Sequence, residues 1–292
     1  MLLILLKLTS QIILSIVNYI HRLLNDSMFA PKILLHPDEE YFPMNPLLFV
    51  SLSRFRHHIS LDRDYGYNKL TQEWVRTDEK SPEFYDIPFG VLQDFGLNAD
   101  GTNRRPKDRN RGESENVFLQ PDGKPRGDSN PTGNVPCFHS QIHSNNGYVF
   151  HQYWFFFGYN PSLVILDLSH QGDWEDYTAV TKDGELIGGV LNAHGKRTYY
   201  EKEELEFDQE QVQIYCALGT HALFSSPGSF GKLKTDKTKS GGYKWDTSKN
   251  IEMLFDQPWR DYAGAWGEVG ELPATTGPLG PYYKLIEKDF FS

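Results

Sequence analysis

A chain of 292 residues that is 39% hydrophobic and 14% aromatic carries ample apolar material for a packed core. The net charge of -10 argues against nucleic acid as a general partner. The aromatic excess, with 25 glycines and 17 prolines, favours strands and turns over helices.

The first 24 residues form the one strongly hydrophobic segment. Lys7, Gln11, Ser15, Asn18 and Arg22 recur at steps of three and four, a polar stripe opposite a Leu, Ile and Val face. That spacing predicts an amphipathic helix lying in a membrane interface or docked on the chain's own body. A signal sequence or anchor stays open beside it. No basic residue precedes Leu2, however, and Ser27-Met28-Phe29-Ala30 before Pro31 makes a poor cleavage site. Lys7, Ser10, Gln11 and Asn18 interrupt the run of about 20 apolar residues that a span requires. The expected division is therefore a helix over 1–27 and a β-sandwich domain over 28–292, in a membrane-associated, secreted or endomembrane setting.

From residue 29 a short apolar run, Ile33 to Leu35, precedes an acidic turn, and residues 51–94 mix polar and aromatic types without a lasting period. Short strands and loops are expected there. Residues 98–136 break in composition: they are polar and rich in Gly, Pro and Asn, with only Val117-Phe118-Leu119 clearly apolar. This predicts a long surface loop or hinge. Its cluster of Arg104, Arg105, Lys107, Arg109 and Arg111 suits either a solvated loop or a contact with anionic groups.

The pattern then sharpens. Tyr148 to Phe157 is aromatic on both faces and predicts a central strand buried on both sides. Leu163–Leu166 is a short strand or edge. Trp174 to Thr181, Leu186 to Leu191 and Gln211 to Leu218 follow with turn signals between them, the spacing of an antiparallel sandwich. Residues 226–244 return to a polar loop, and the tail carries Trp245, Trp259 and Trp266. No long helical pattern follows residue 30. The expected class is mainly β, a single antiparallel β-sandwich with long loop insertions.

The richest chemistry lies in His170-Gln171-Gly172-Asp173-Trp174-Glu175. If Asp173 starts a strand, the period of two puts Asp173 and Glu175 on one face. His170 reaches that face from a turn that Gly172 relaxes. Two converging carboxylates without a cation repel, and one protonates. A divalent cation keeps both ionised, with Mg or Ca favoured by oxygen donors and Zn allowed by the imidazole. A salt-bridged strand start with a surface histidine accounts for the same spacing. His194, in Asn192-Ala193-His194-Gly195, and His221, in Gly219-Thr220-His221-Ala222, sit just past strand ends between small residues. With Trp174 and Gln141, which lies between His139 and His143, they complete a candidate ligand rim. The cysteines Cys137 and Cys216 either pair or stay as buried thiols. No nucleophile elbow, phosphate loop or dinucleotide glycine fingerprint occurs.

These motifs resemble two known patterns. Phe29-Ala30-Pro31 with His36-Pro37-Asp38-Glu39-Glu40-Tyr41-Phe42-Pro43, Gln152 to Phe156 with Tyr159-Asn160, His170-x-Gly172-Asp173-Trp174-Glu175 and Gly219 to Ala222 resemble the family of vacuolar protein sorting-associated protein sixty-two, over about residues 29–283. That resemblance implies an association with vacuolar trafficking. The His170, Asp173 and Glu175 spacing, with Cys137, Gln141, Asn192-Ala193-His194-Gly195 and Thr220-His221-Ala222, is similar to the necrosis- and ethylene-inducing toxin family. It implies a β-sandwich whose His, Asp and Glu, with an Asp from the preceding strand end, hold a divalent cation used on membrane glycolipid headgroups. Here Asn160 stands about where that fourth Asp would be, and Gly172 replaces the second His of the toxin heptapeptide.

Three functional readings follow. The first is a non-enzymatic module in which His170, Asp173, Glu175 and Asn160 present a cation to a membrane lipid or glycan headgroup. The second is a metal-dependent hydrolase with His194 or His221 as acid or base. The third is a polar cluster that only holds loops together. The oligomeric state stays open.

Overall fold

The computed structural model describes residues 27–58, 64–95, 116–161, 168–270 and 272–291. The N-terminal hydrophobic segment, the basic cluster at 104–111 and the short strand expected at 163–166 lie outside the described residues.

In chain order the strands begin with β1 (Lys32–Leu34), β2 (Ser53–His58), β3 (Asp64–Asn68), β4 (Glu73–Arg76) and β5 (Asn116–Pro121). The centre of the chain supplies β6 (Cys137–His143), β7 (Tyr148–Asn160), β8 (His170–Lys182), β9 (Glu185–Ala193) and β10 (Lys196–Glu201). Then come β11 (Glu206–Asp208), β12 (Gln211–Cys216), β13 (Leu223–Phe224), β14 (Gly228–Phe230) and β15 (Asp236–Thr238). Last are β16 (Lys244–Asp246), β17 (Ile251–Met253) and β18 (Ala265–Trp266). The two α-helices among the described residues, Pro46–Ser51 and Phe89–Gln93, are each under two turns. Neither is long and apolar enough to cross a membrane.

The centre is a six-stranded sheet in the order β10-β9-β8-β7-β6-β17. Its strands β7 and β8 pair antiparallel along their whole length, from Tyr148 opposite Lys182 to Asn160 opposite His170. The alternation of β7 loads both faces. Tyr153, Phe155 and Phe157 turn toward one core with Tyr177, Ala179 and Leu191. Trp154 and Phe156 turn toward another with Trp174 and Phe138. The central strand is thus buried on both sides.

Each face is covered by a different sheet. The path β11-β12-β1-β16, with β13 beside β12, closes the first core through Ile33, Ile214, Cys216 and Trp245. These two sheets form the β-sandwich. The path β18-β5-β2-β3-β4 closes the second core through Phe55, Val117, Leu119 and Trp266, adding a third layer. Strands β2 to β4 come from the stretch where short strands and loops were expected, and β5 from the segment expected to be a long surface loop or hinge. The strands of this layer are short, and β5 finds its partners in β2 and β18, far away in sequence. Pairing is mostly antiparallel, with parallel pairs at β1–β12, β17–β6 and β18–β5. Within the polar 226–244 segment, β14 and β15 close a hairpin.

Cys137 and Cys216 are both free and fully buried in the first core. Burial pushes both thiols up, since the charged form has no water to stabilise it. The disulfide alternative is therefore not realised.

Phe156 packs edge-on against Phe49 at 5.0 Å and tilted on Trp174 at 4.7 Å, with no exposed surface. Phe156→Ala should cost about 3–5 kcal/mol of unfolding free energy. Leu70→Ala, at a side chain 77% exposed, should stay within about 0.5 kcal/mol. Denaturant unfolding of the two variants checks the contrast.

Candidate functional site

Strand β8 starts at His170, three residues earlier than the sequence reading placed it, and its first residue lies opposite Asn160. Just inside the strand the backbone passes the tail of the chain at contact distance. Gly172 has φ +66, and a Cβ there would lie 1.9 Å from the Trp266 carbonyl oxygen. Reciprocally, Gly267 has φ +135, and its Cβ would lie 2.0 Å from the Gln171 carbonyl oxygen. Only glycine fits either side of this crossing. The histidine that the toxin heptapeptide carries at the position of Gly172 has no room here.

Past the crossing, the period of two puts Asp173 and Glu175 on the same side of β8. Both line a cavity of about 480 Å³, together with Asn160, His170, His194 and Asp236. Asp173 is 6% exposed and accepts hydrogen bonds on one oxygen, Oδ2, from Asn160 Nδ2 at 2.8 Å and His221 Nδ1 at 2.9 Å. Glu175, equally buried, has no hydrogen-bond partner among the described residues. The two carboxyls titrate in opposite directions. Burial pushes Asp173 up, but the hydrogen bond from His221 and the charges of His170 and His221 hold it below the usual carboxylate range. Burial, then the charge of Asp173, push Glu175 well above that range.

His221 lies behind the cavity wall, fully buried and stacked at 3.8 Å on Phe157. Burial alone would pull its pKa down. Asp173 on one side and Glu39, 3.8 Å from Nε2, on the other raise it to about 9. Glu39 is itself held low, since His221 and the backbone N–H groups of Gly219 and Tyr41 outweigh its burial. The result is a buried carboxylate–imidazolium–carboxylate chain that fixes Asp173 from outside the cavity.

The opposite wall is built on Asp236. It accepts from His194 Nε2 at 3.0 Å and from Thr220 Oγ1 at 2.8 Å. The hydrogen bond that His194 donates to Asp236 raises it above its ordinary value against its burial. Both His194 (φ +55) and His221 (φ +53) occupy the left-handed backbone region, a strain that surrounding contacts must hold in place.

Of the residues singled out in the sequence, Asn160, His170, Asp173, Trp174, Glu175 and His194 all line the one cavity. His221 touches it only through Asp173. Trp174 is 3% exposed and belongs chiefly to the second core, against Phe156, Trp259 and Trp266. Gln141 stands exposed on β6 opposite His151 and does not line the cavity. Sequence reasoning missed Asp236, Lys284, Thr220 and Thr276. Asp236 sits in a Lys-, Thr- and Gly-rich stretch with no local sign of burial, and Lys284 arrives from the far end of the chain.

The donors suit a hard cation. His170 Nδ1 donates to the Gly172 carbonyl at 2.8 Å, which in the neutral ring leaves Nε2 with its lone pair. Oδ1 of Asp173, the carboxylate of Glu175 and the amide oxygen of Asn160 take no hydrogen bond among the described residues. In the conformations seen, however, no three His, Cys, Asp or Glu side chains among the described residues are grouped closely enough to enclose a metal ion.

No family model matches the chain. It is 23% identical over 317 residues to vacuolar protein sorting-associated protein 62 of Saccharomyces cerevisiae, a match that covers 89% of this chain and 65% of that protein. The chain thus spans less than the whole length of this curated relative. Among solved structures it is similar to necrosis and ethylene inducing protein 2 from the agent of cocoa's witches' broom disease, at 13% identity and TM-score 0.36, over 79% of this chain and 73% of that one. It is also similar to the non-toxic protein HaNLP3, at 13% identity and TM-score 0.38 over 88% and 86%. A third likeness is to NLPPya in complex with mannosamine, at 13% identity and TM-score 0.38 over 80% and 75%. At TM-scores this low the architecture rests on the strand register above, and both resemblances read from the motifs recur.

Gly172→Ala should force the β8 and Trp266 backbones apart and lower the melting temperature markedly, with a changed near-ultraviolet tryptophan signal. His221 titrates near 9 when folded, above its ordinary 6.5. Its pairing therefore contributes stability in full below about 6.5, and that stability is lost as pH rises through about 9. Melting curves in chelator across that window should fall for the native chain and flatten for His221→Gln.

Proposed function

We propose that this chain is a non-enzymatic binding module. It holds a divalent cation through His170, Asp173 and Glu175, with Asn160 completing the donors, and offers the open coordination positions to a hydroxyl-rich headgroup of a glycolipid or glycan. The observation that carries this reading is Glu175: a carboxylate 6% exposed, facing a cavity, without a hydrogen-bond partner among the described residues and beside an ionised Asp173. Left alone, such a group must hold a proton. A cation at the site removes that penalty and supplies the Lewis acidity that grips neighbouring hydroxyls.

The rest of the cavity matches such a ligand. Asn192, Thr220, Thr235 and Thr276 offer amide and hydroxyl groups around its wall, the few placed polar contacts that orient a small ligand. Asp173 is held from behind by His221 and Glu39, so the donor on which the site depends is fixed before anything binds. Oxygen-rich donors favour Mg or Ca over Zn. Membrane association and a part in vacuolar trafficking, which the name of the yeast relative carries, belong to the same proposal. The opposite shifts on Asp173 and Glu175 also match an acid–base pair. A hydrolysis screen in which turnover disappears with Glu175→Ala would favour that second reading.

Elemental mass spectrometry of the purified protein should find about one divalent cation per chain, lost in Asp173→Ala and Glu175→Ala. Flotation with glycolipid-bearing vesicles should capture the native chain and release it in chelator. Capture indifferent to both chelator and Asp173→Ala would overturn the proposal.

A further inference from the structure

The β14–β15 hairpin stands against the cavity by its base and leaves its tip in solvent. At the base Phe230 stacks on Phe224 at 4.0 Å, and Asp236, opposite Phe230 in the register, is held by Thr220 and His194. Thr235 and Asp236 both line the cavity. At the tip the chain reverses over Gly231–Lys234, where the Lys234 N–H donates to the Gly231 carbonyl at 3.1 Å. Leu233 lies inside that turn and is 80% exposed, more than any other large apolar side chain among the described residues.

A lone exposed leucine needs no explanation. Two details set this one apart. The first is a second turn of the same kind on the same cavity. Leu272 is 54% exposed although its backbone is fixed: its N–H donates to Thr275 Oγ1 at 3.1 Å, and its carbonyl accepts from Thr276 Oγ1 at 3.0 Å. Leu233 stands two residues before Thr235 and Leu272 two before Ala274. Thr235 and Ala274 line the cavity, so each leucine lies within about 7 Å of chain from the wall. The second detail is charge. Lys232 and Lys234 bracket Leu233, and Lys237 and Lys239 follow. All four are exposed, and none forms an ion pair among the described residues. They are concentrated in eight residues of a chain whose net charge is -10.

We propose that this hairpin tip is a lipid-contacting element. Leu233 enters the interface of a bilayer, Lys232 and Lys234 meet the headgroups of anionic lipids, and Leu272 makes a second contact that holds the cavity mouth against the surface. This rests on the membrane-headgroup reading of the cavity and adds which lipid surface is met and by which part of the chain. It does not require a bound cation. The charge pattern sets the orientation: an anionic leaflet repels the chain as a whole and attracts it hairpin first. A leucine between lysines suits that surface, because the lysine stems lie along the interface while their ammonium groups stay among the headgroups. A soluble polyanion gains nothing from Leu233.

Flotation of the full chain in chelator tests this, with vesicles of phosphatidylcholine alone and of phosphatidylcholine mixed with phosphatidylserine. These vesicles carry no glycolipid, so the result is independent of the cation site. The native chain should float only with the phosphatidylserine vesicles and leave them as salt screens the lysines. Lys232→Gln and Lys234→Gln should each weaken binding about fivefold, and Leu233→Ser about tenfold. All three change exposed side chains and should keep the native melting temperature. A chain indifferent to phosphatidylserine overturns this proposal and leaves the cation reading to its own elemental test. Binding lost with the lysines but unchanged in Leu233→Ser means a site for soluble polyanions and overturns it as well. A spectroscopic readout is available because Cys137 and Cys216 are buried. Leu233→Cys, labelled there with a polarity-sensitive fluorophore, should shift its emission to the blue on phosphatidylserine vesicles. Emission that does not move excludes insertion.

Discussion

A strand pair with no solvent face is the constraint on which the rest of the molecule depends. β7 and β8 run through the middle of a sheet covered on one side by β1, β12 and β16 and on the other by β2, β5 and β18. From Phe150 to Tyr159 and from Gly172 to Thr181 every residue on them is buried. An apolar strand meets that demand with Phe and Trp, as β7 does. β8 does not, because Asp173, Glu175 and Asp176 fall in its first half. Each of these carboxylates needs compensation at a place where water cannot supply it.

The protein meets this demand in three different ways. Asp176 is surrounded by Gln152, Asn192 and Arg197 and is structurally satisfied. Asp173 is satisfied on one oxygen only, by Asn160 and by a His221 that Glu39 keeps protonated. Glu175 receives no hydrogen bond from the described residues, and burial and the charge of Asp173 outweigh the opposing charge of Lys284. The gradient runs from the interior of the sheet to the cavity. Unmet polar demand on an otherwise well-satisfied strand is a physical mark of a ligand site.

The crossing of Gly172 with Gly267 binds the two ends of this logic together. It brings the Trp266 segment against the start of β8, so that the tail of the chain becomes the second core, the cavity wall and the carrier of Lys284. One close backbone approach thus couples the hexapeptide to residues about a hundred positions further along the sequence.

How much of this was legible beforehand follows from how local each signal is. The amino-acid sequence by itself determined the mainly β class, the doubly buried central strand and the cluster of His170, Asp173 and Glu175 facing one way. All three depend on period-two alternation and on neighbours within a few residues, with Gly172 marking the irregular step. His194 was found because a histidine between small residues at a strand end stands out in any reading. Tertiary structure alone decided the third sheet, since β2 and β5 are short and meet each other across about sixty residues of sequence. It also decided that Gln141 faces solvent, that the two thiols stay apart from disulfide formation, and that His221 works behind the wall instead of on it. Asp236 and Lys284 had no local pattern at all. Their roles arise from charge meeting charge across the cavity, and such meetings are set by where the chain crosses itself.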